Sequence, residues 1–172
     1  MRARTTLLTI LALTICGVGS AQVRDLVGAR FDARITSVID GDTVDLIPTG
    51  EKRAIRIRLE GVDAPERGEP FSDAARRFAR VMLFDRRAKI EGRDDDRYGR
   101  LVARTIVGDK DVGVELVKAG LACHYTEYSS DPVLASSESQ ARSEGRGFWA
   151  GNANTPRCAR TPPRREEGGS RV

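Results

Sequence analysis

The feature that most constrains the fold is a run of three strand-like segments separated by turn residues. Residues 34–39 are rich in β-branched side chains, and Asp40-Gly41, a dipeptide typical of tight hairpin turns, follows them directly. Residues 43–47 continue as a second strand, which stops at residues 48–50 (Pro-Thr-Gly). Residues 55–60 then alternate apolar and charged side chains, so one face of a third strand is buried and the other is charged.

The rest of the chain mixes helical and strand patterns. Apolar residues recur at helical spacing over residues 71–84, which predicts an amphipathic helix. Short strands are predicted at residues 88–92 and 101–107. A short helix is predicted over 111–120, between an Asp N-cap and a Gly C-cap, and a last helix over 131–147, with Asp-Pro at its start. This order predicts an α+β, β-rich fold built on a small five-stranded barrel.

The first 21 residues are typical of an export signal. Arg2 and Arg4 precede an apolar stretch at residues 7–16, and small residues lead to Ala21. About ten apolar residues are too few for a bilayer core, which needs roughly 20. We therefore expect a signal peptide over residues 1–21, cleaved after Ala21, and a secreted or periplasmic protein with no membrane span after cleavage. The alternatives are an uncleaved membrane anchor or a buried helix.

Export changes the interpretation of the cysteines. Once Cys16 is removed, Cys123 and Cys158 remain, an even number in an oxidising compartment, and this favours a disulfide between them. The alternative is a buried thiol at Cys123 and a free thiol at Cys158. We expect a folded domain over residues 22–154 and a flexible tail rich in Arg, Pro and Gly over 155–172, because the tail has no apolar period.

The overall charge does not by itself indicate a nucleic-acid partner. The formal net charge of the chain is +4, but much of the excess lies in the signal peptide and the tail, and the central domain is close to neutral. A site for a polyanion must therefore be made by local placement of arginines.

Three polar segments are candidates for chemistry. They are residues 40–43 (Asp-Gly-Asp-Thr), Arg58 followed by residues 63–66 (Asp-Ala-Pro-Glu), and residues 96–100 (Asp-Arg-Tyr-Gly-Arg). Each has an ordinary structural explanation when taken alone: a hairpin turn, a solvated or acid-paired strand arginine, and a polar loop. Their chemistry nevertheless fits together.

Hard divalent cations take oxygen ligands from carboxylates, backbone carbonyls and water. Asp42 and Asp63 offer two carboxylates and Ala64 a backbone carbonyl. Phosphodiester cleavage also needs guanidinium groups to stabilise charge on the phosphoryl oxygens, for which Arg58 and Arg100 are available. Glu66 is left to act on a water molecule.

Together and in this order, the three segments resemble the staphylococcal nuclease (thermonuclease-like) family, and the match runs from about Ile35 to Trp149. The resemblance implies an OB-fold, a five-stranded Greek-key barrel with three helices. It also implies a calcium-dependent (Ca2+) nuclease that cuts DNA and RNA through attack of water on phosphorus and leaves 3′-phosphate ends.

The resemblance also implies roles for individual residues. The metal would be held by Asp42, Asp63 and the Ala64 carbonyl, with Asp40 close by. Arg58 and Arg100 would hold the scissile phosphate and stabilise the transition state, and Glu66 would activate or orient the water.

Other side chains are expected to bind the substrate. Arg97 and Tyr98 fall where the family contacts a neighbouring phosphate or base, and Tyr128 fits by spacing a tyrosine near the nucleotide. Thr126 occupies the place of a second such tyrosine, with Tyr125 one position earlier, and either tyrosine could instead cap the barrel. The segment 67–70 is shorter than the mobile loop of the family's prototype.

We therefore expect an exported nuclease that acts as a monomer on DNA or RNA, with no stable protein partner. One alternative is an OB-fold module that binds nucleic acid without cleaving it. Another is a cell-surface interaction domain that uses calcium only for stability. A binding-only module has no need to keep the five residues assigned to metal, phosphate and water, which are all present: Asp42, Arg58, Asp63, Glu66 and Arg100.

Overall fold

A computed structural model describes residues 23–151 and 155–159. The expected signal peptide at residues 1–21 and most of the expected tail lie outside the described residues. Within these two ranges, no helix combines the length and the apolar character that a membrane crossing requires.

The strands of the described ranges are β1 Arg30–Val38, β2 Thr43–Pro48, β3 Ile55–Leu59, β4 Val62–Asp63, β5 Arg87–Asp95, β6 Leu101–Val107, β7 Lys110–Asp111 and β8 Cys123–His124. They form a six-stranded sheet in the order β3-β2-β1-β5-β6-β7 and a separate two-stranded pair, β4-β8. A parallel pairing of β3 with β6 closes the larger sheet into a barrel of five principal strands, so the expected α+β OB-fold is confirmed.

Three α-helices lie wholly within the described ranges, with two short 3-10 helices, and residues 23–24 are also helical. The three α-helices are α1 Ser72–Leu83, α2 Val112–Lys118 and α3 Pro132–Ser143, and the 3-10 helices are Gly147–Trp149 and Arg157–Ala159. The expected N-caps are confirmed. Asp111 accepts hydrogen bonds from the backbone of Gly113 and Val114, and Asp131 accepts one from Val133.

Helix α3 ends at Ser143, earlier than the sequence pattern predicts, because the chain turns there onto Gly120. Gly145 and Gly147 both have positive φ, and the Phe148 N–H donates to the Gly120 carbonyl over 3.0 Å. A Cβ on Gly120 would lie 2.1 Å from the Arg146 carbonyl oxygen, so this approach requires glycine.

The core lies inside the barrel and beneath α1 and α2. The alternation in β3 is confirmed: Ile55, Ile57 and Leu59 are buried, Arg56 is exposed and Arg58 is half-buried. Helix α1 covers the barrel with small residues and one leucine on its buried face, Ala75, Ala79 and Leu83. Burial of each large aliphatic side chain stabilises the fold by roughly 1.5–3 kcal/mol.

Several strands differ from the sequence pattern because long-range pairing extends or creates them. Strand β1 begins at Arg30 rather than at residue 34, since residues 30–34 pair with β5. Strand β5 continues to Asp95 through a bulge after Gly92, since its polar end still pairs with β6. Residues 62–63, for which the sequence pattern predicts no strand, pair with residues 123–124.

The contacts of the domain continue past residue 154, where the sequence pattern placed its end. Cys123 and Cys158 are joined by a disulfide with their Cα atoms 6.0 Å apart, and Cys123 is the register partner of Asp63. The Arg157 N–H also donates to Glu69 Oε1 over 3.3 Å.

We predict that loss of this bond destabilises the protein. In the chain-entropy model, a disulfide that spans 35 positions contributes about 4 kcal/mol. Cys158→Ser should therefore lower the free energy of unfolding in urea by about 2–4 kcal/mol. A reductant should lower the stability of the parent protein by the same amount and have no further effect on the variant. Equal stability of parent and variant under oxidising conditions would contradict the prediction.

Candidate active site

The turn between β1 and β2 is held by its own aspartate. Asp40 Oδ1 accepts the backbone N–H of Asp42 over 3.1 Å and that of Thr43 over 2.7 Å. An aspartate side chain that bonds to the backbone two and three positions ahead fixes a turn. Asp40 therefore fixes the backbone from which the side chains of Asp42 and Thr43 project.

Gly41 fits this turn against two other elements. A Cβ at this position would lie 2.6 Å from the Ala64 Cβ and 2.9 Å from the Ala75 Cβ, closer than packed atoms approach. The absence of a side chain therefore lets the turn touch both the loop after β4 and helix α1.

Asp42 is a buried carboxylate at the centre of the site. Only 4% of the residue is exposed. Its Oδ2 accepts the Ala64 N–H over 2.9 Å, and its Oδ1 accepts the Thr43 hydroxyl over 3.1 Å. Burial raises the pKa of Asp42 to about 6, with Arg58 lowering it and the charge of Asp40 raising it further. The compensation for the buried charge is thus incomplete, and a bound cation would supply it.

Arg58 lies between the two candidate metal ligands. Its Nη1 is 3.5 Å from Asp42 Oδ2, and its Nη2 is 3.2 Å from Asp63 Oδ1. Nη2 also donates to the Val62 carbonyl over 3.2 Å. Burial alone would lower the pKa of Arg58, but the charges of Asp42 and Asp63 raise it, so the group stays cationic.

Arg100 reaches the same site from the loop before β6. Its Nε donates to Asp96 Oδ2 over 2.6 Å, and its Nη1 to the Thr43 hydroxyl over 3.4 Å. Asp96 also accepts the backbone N–H groups of Tyr98 and Arg100. Burial raises the pKa of Asp96, but these hydrogen bonds outweigh it, and the pKa is lowered. Asp96 therefore orients Arg100, a role that the sequence analysis did not assign although the spacing of four was visible.

Strand register explains why the three segments meet. Thr43 is opposite Arg58 in the β2–β3 pair, and Arg58 is opposite Val102 in the parallel β3–β6 pair. One row across the barrel therefore joins the turn, the strand arginine and the chain just after Arg100. The hydrogen bonds and ion pairs then run from Arg58 through Asp42 and Thr43 to Arg100.

Glu66 lies on the same loop but outside this network. Among the described residues, its exposed side chain forms no hydrogen bond or ion pair. Its backbone N–H donates to Glu69 Oε2 over 2.9 Å, and Glu69 is the residue that also accepts from Arg157. The loop is thus held by its backbone while the Glu66 carboxylate faces solvent.

Tyrosines border the site on two sides, Tyr98 near Arg100 and the pair Tyr125 and Tyr128 near Arg58. Tyr98 is 68% exposed, accepts a hydrogen bond from Arg97 over 2.8 Å, and has the Arg100 guanidinium 5.3 Å from its ring centre. The ring centres of Tyr125 and Tyr128 are 4.9 Å apart, and Tyr128 is 73% exposed.

Of the latter pair, it is Tyr125 whose ring lies next to the site, 5.7 Å from the Arg58 guanidinium. Spacing alone had favoured Tyr128. A tyrosine against a partly buried guanidinium is a cation–π contact that sequence spacing does not reveal.

The site fits a cation only with ligands from outside the protein. Within residues 23–151 and 155–159, no group of three or more His, Cys, Asp and Glu side chains is arranged to hold a metal ion. The candidate ligands are two carboxylates, Asp42 and Asp63, and the Ala64 carbonyl. Hard cations such as calcium accept water and phosphate oxygens as their remaining ligands. The incompletely compensated charge of Asp42 is the structural feature that favours such an ion.

Comparison with known proteins is consistent with this geometry. The family described as "Staphylococcal nuclease homologue" matches residues 56–151. A Haemophilus influenzae protein named "Uncharacterized endonuclease" is 32% identical over 119 residues, which cover 69% of this chain and 66% of that protein, just under two thirds. A protein of the same name in Escherichia coli O157:H7 is 31% identical over 123 residues, covering 71% of this chain and 79% of the relative. The "Micrococcal nuclease" of Shigella flexneri is 29% identical over 140 residues, covering 74% and 79%.

We predict that the Asp42 charge destabilises the protein when no divalent cation is present. The pKa of Asp42 is about 6 in the folded state against 3.8 for an ordinary aspartate, so the penalty is absent below the lower pKa and complete above the upper one. In chelator at about pH 8, Asp42→Asn should raise the free energy of unfolding by about 1–3 kcal/mol. The gain should shrink as the pH falls through 6 towards 4.

Urea denaturation across this pH range is the measurement. Asp45→Asn is the matched control, because Asp45 lies on β2 and is paired with Arg56 outside the site. The control should gain no stability. An Asp42→Asn variant that is less stable than the parent at about pH 8, or a gain that does not depend on pH, contradicts the prediction.

Proposed function

The chain belongs to the staphylococcal nuclease family, and we propose that it is an exported, calcium-dependent nuclease that hydrolyses phosphodiester bonds of DNA and RNA and leaves 3′-phosphate ends. The observation that carries the proposal is the network around Asp42. One guanidinium, that of Arg58, lies between two carboxylates, and a second, that of Arg100, reaches the same carboxylate through Thr43. A site for binding alone has no need of this combination of acids and paired arginines.

The two guanidinium groups hold the phosphate. Arg58 and Arg100 are both half-buried and both kept in place by carboxylates, so little side-chain freedom is lost when a phosphate binds. Planar guanidinium groups donate to phosphate oxygens in pairs, and they stabilise the charge that develops on those oxygens.

The acids of the site have two separate tasks. Asp42 and Asp63, with the Ala64 carbonyl, are the residues that would hold a calcium ion. When bound, that ion adds positive charge beside the phosphoryl oxygens. Asp40 keeps the Asp42 turn in place beside these ligands, because its Oδ1 accepts two backbone N–H groups of the turn.

Glu66 acts on the water. Its carboxylate has no protein partner among the described residues, so it is available to orient a water molecule and take up its proton. The water oxygen bonds to phosphorus, and the bond from phosphorus to the 5′ oxygen breaks. This direction of cleavage is the one that leaves a 3′-phosphate and a 5′-hydroxyl.

The tyrosines would support the neighbouring nucleotides. Tyr98 with Arg97 lies on the Arg100 side, and Tyr125 with Tyr128 lies on the Arg58 side. Bases stack on exposed aromatic rings without sequence preference, with each contact contributing roughly 1–3 kcal/mol. Such contacts suit an enzyme that acts on single strands of either DNA or RNA.

We predict that hydrolysis needs both calcium and the two arginines. The protein should degrade single-stranded DNA and RNA in calcium, stop in chelator and recover when calcium is restored. Arg58→Ala and Arg100→Ala should each lower turnover by about 10²–10³, because each removes a donor that stabilises transition-state charge. Measurement of kcat and KM on a labelled oligonucleotide checks the calcium dependence and the effect of the two substitutions. End-group analysis of the products checks that the cleaved strands end in a 3′-phosphate.

Arg56→Ala is the matched control, since Arg56 is on the same strand but pairs with Asp45 on the outside of the barrel. It should keep near-parental activity. Glu66→Gln should lower kcat with little change in binding. Tight binding with no hydrolysis under any metal condition would identify a binding module instead.

Export is part of the proposal and rests on the sequence of residues 1–21. Material recovered from the periplasm or the medium should begin at Gln22, and N-terminal sequencing or intact mass measures this. A mature protein that retains Met1 would contradict cleavage after Ala21.

A further inference from the structure

Positive charge is concentrated on one surface outside the site. Residues 76–89 hold six basic side chains and one acid, so they carry +5, while the rest of the domain over 22–154 carries −6. All six basic side chains are exposed. We refer to them as the basic stripe: Arg76, Arg77, Arg80, Arg86, Arg87 and Lys89.

The members of the basic stripe are not neutralised by acids. Within residues 23–151 and 155–159, none of the six forms an ion pair, whereas Arg56, Arg93 and Arg104 elsewhere on the barrel each do. Several acids lie nearby: the exposed Asp32 is the register partner of Lys89, and Asp109 lines the same cavity as Arg86, without an ion pair to either base within the described residues. Asp85 is paired with Arg34, and Asp73 is exposed one helical turn before Arg77. The stripe therefore presents an excess of positive charge to solvent.

Three members of the stripe, Arg76, Arg80 and Arg87, follow one line on the surface. Arg76, Arg80 and Phe84 are spaced by four along α1 and its end, and the Arg80 guanidinium stacks on the Phe84 ring, 4.3 Å from its centre. The chain then turns into β5, where Arg87 is the register partner of Arg34 on β1. Val38, the last residue of β1, accepts a hydrogen bond from Arg76 Nε over 3.3 Å.

The line begins at the proposed active site. Gly41 of the Asp40–Asp42 turn packs directly on Ala75, the residue before Arg76. From Val38 to Arg34 the strand is about 13 Å long, at roughly 3.3 Å per residue. Arg76, beside Val38, and Arg87, beside Arg34, are therefore far enough apart to contact different phosphates of one strand.

We propose that the basic stripe binds the phosphate backbone of the nucleic acid beyond the nucleotides held at the cleavage site. The proposal rests on the proposed nuclease function, because that function places a polyanion at the Asp42 turn. Exposed, unpaired arginines that continue from this turn extend the contact along the strand. Long substrates therefore bind more tightly than short ones, and the additional affinity falls with salt.

The test compares two double variants of equal charge. Arg80→Gln/Arg87→Gln removes two cations of the stripe. Lys52→Gln/Arg53→Gln removes two exposed cations from the loop between β2 and β3. This loop follows Pro48, so it lies at the far end of β2 from Thr43 and the candidate site. Fluorescence anisotropy in chelator measures the binding of single-stranded oligonucleotides of about four and about sixteen nucleotides over a range of salt, so that no cleavage occurs.

The stripe variant should bind the longer oligonucleotide about tenfold more weakly at low salt and bind the shorter one like the parent. Its plot of log affinity against log salt should be shallower by about 1.4, or about 0.7 for each lost phosphate contact on a single strand. The control should match the parent in both. Equal weakening in the two variants, or equal affinity of the parent for both lengths, overturns the proposal.

Two further measurements separate this proposal from others. The first is hydrolysis of the short oligonucleotide in calcium, which should be the same in the stripe variant as in the parent. If the parent hydrolyses nothing, the nuclease function is refuted, and the anisotropy measurement still shows whether the stripe binds nucleic acid. Binding to vesicles of phosphatidylcholine and phosphatidylglycerol in equal amounts is the second measurement. If the stripe variant loses vesicle binding and keeps nucleic-acid binding, the surface is one for anionic membranes and the proposal is wrong.

Discussion

The site depends on the burial of one carboxylate, that of Asp42. Its two oxygens accept the Ala64 N–H and the Thr43 hydroxyl, and its charge faces Arg58. These contacts join the β1–β2 turn, strand β3 and the loop after β4 at one point. A buried charge with incomplete compensation is costly to the fold. Its retention is understandable where the same charge serves to attract a cation and to keep an arginine in place.

The barrel is what makes this convergence possible. Arg58 and Arg100 are 42 positions apart, and they meet because β3 and β6 pair in parallel and close the sheet. In a closed barrel the buried face sets the register of every strand pair. The register in turn fixes which strand ends, and therefore which loops, lie together at each end of the barrel. The loops at one end then carry the residues of the candidate site, and the core beneath them is ordinary aliphatic packing.

Two features border the candidate site: the contacts that hold the loop carrying Glu66, and the basic stripe. Glu69 accepts one N–H from Glu66 and one from Arg157, and the segment that contains Arg157 is tied by a disulfide to the strand opposite Asp63. The loop that carries Glu66 is therefore held at both ends. On the other side of the turn, the basic stripe places local positive charge on a domain whose total charge is near zero.

Local pattern in the sequence was enough to predict most of the elements and most of the residues that the structure brings together at the candidate site. Alternation places Arg58 opposite the buried face of β3, and turn and cap residues such as Asp131 mark where elements begin, because these signals act over a few residues. Only the tertiary structure placed Tyr125 rather than Tyr128 beside Arg58, assigned Asp96 to Arg100, and paired residues 62–63 with 123–124. The same holds for the raised pKa of Asp42. Burial, register and contacts between distant segments arise only when the barrel closes, and no pattern of neighbouring residues encodes them separately.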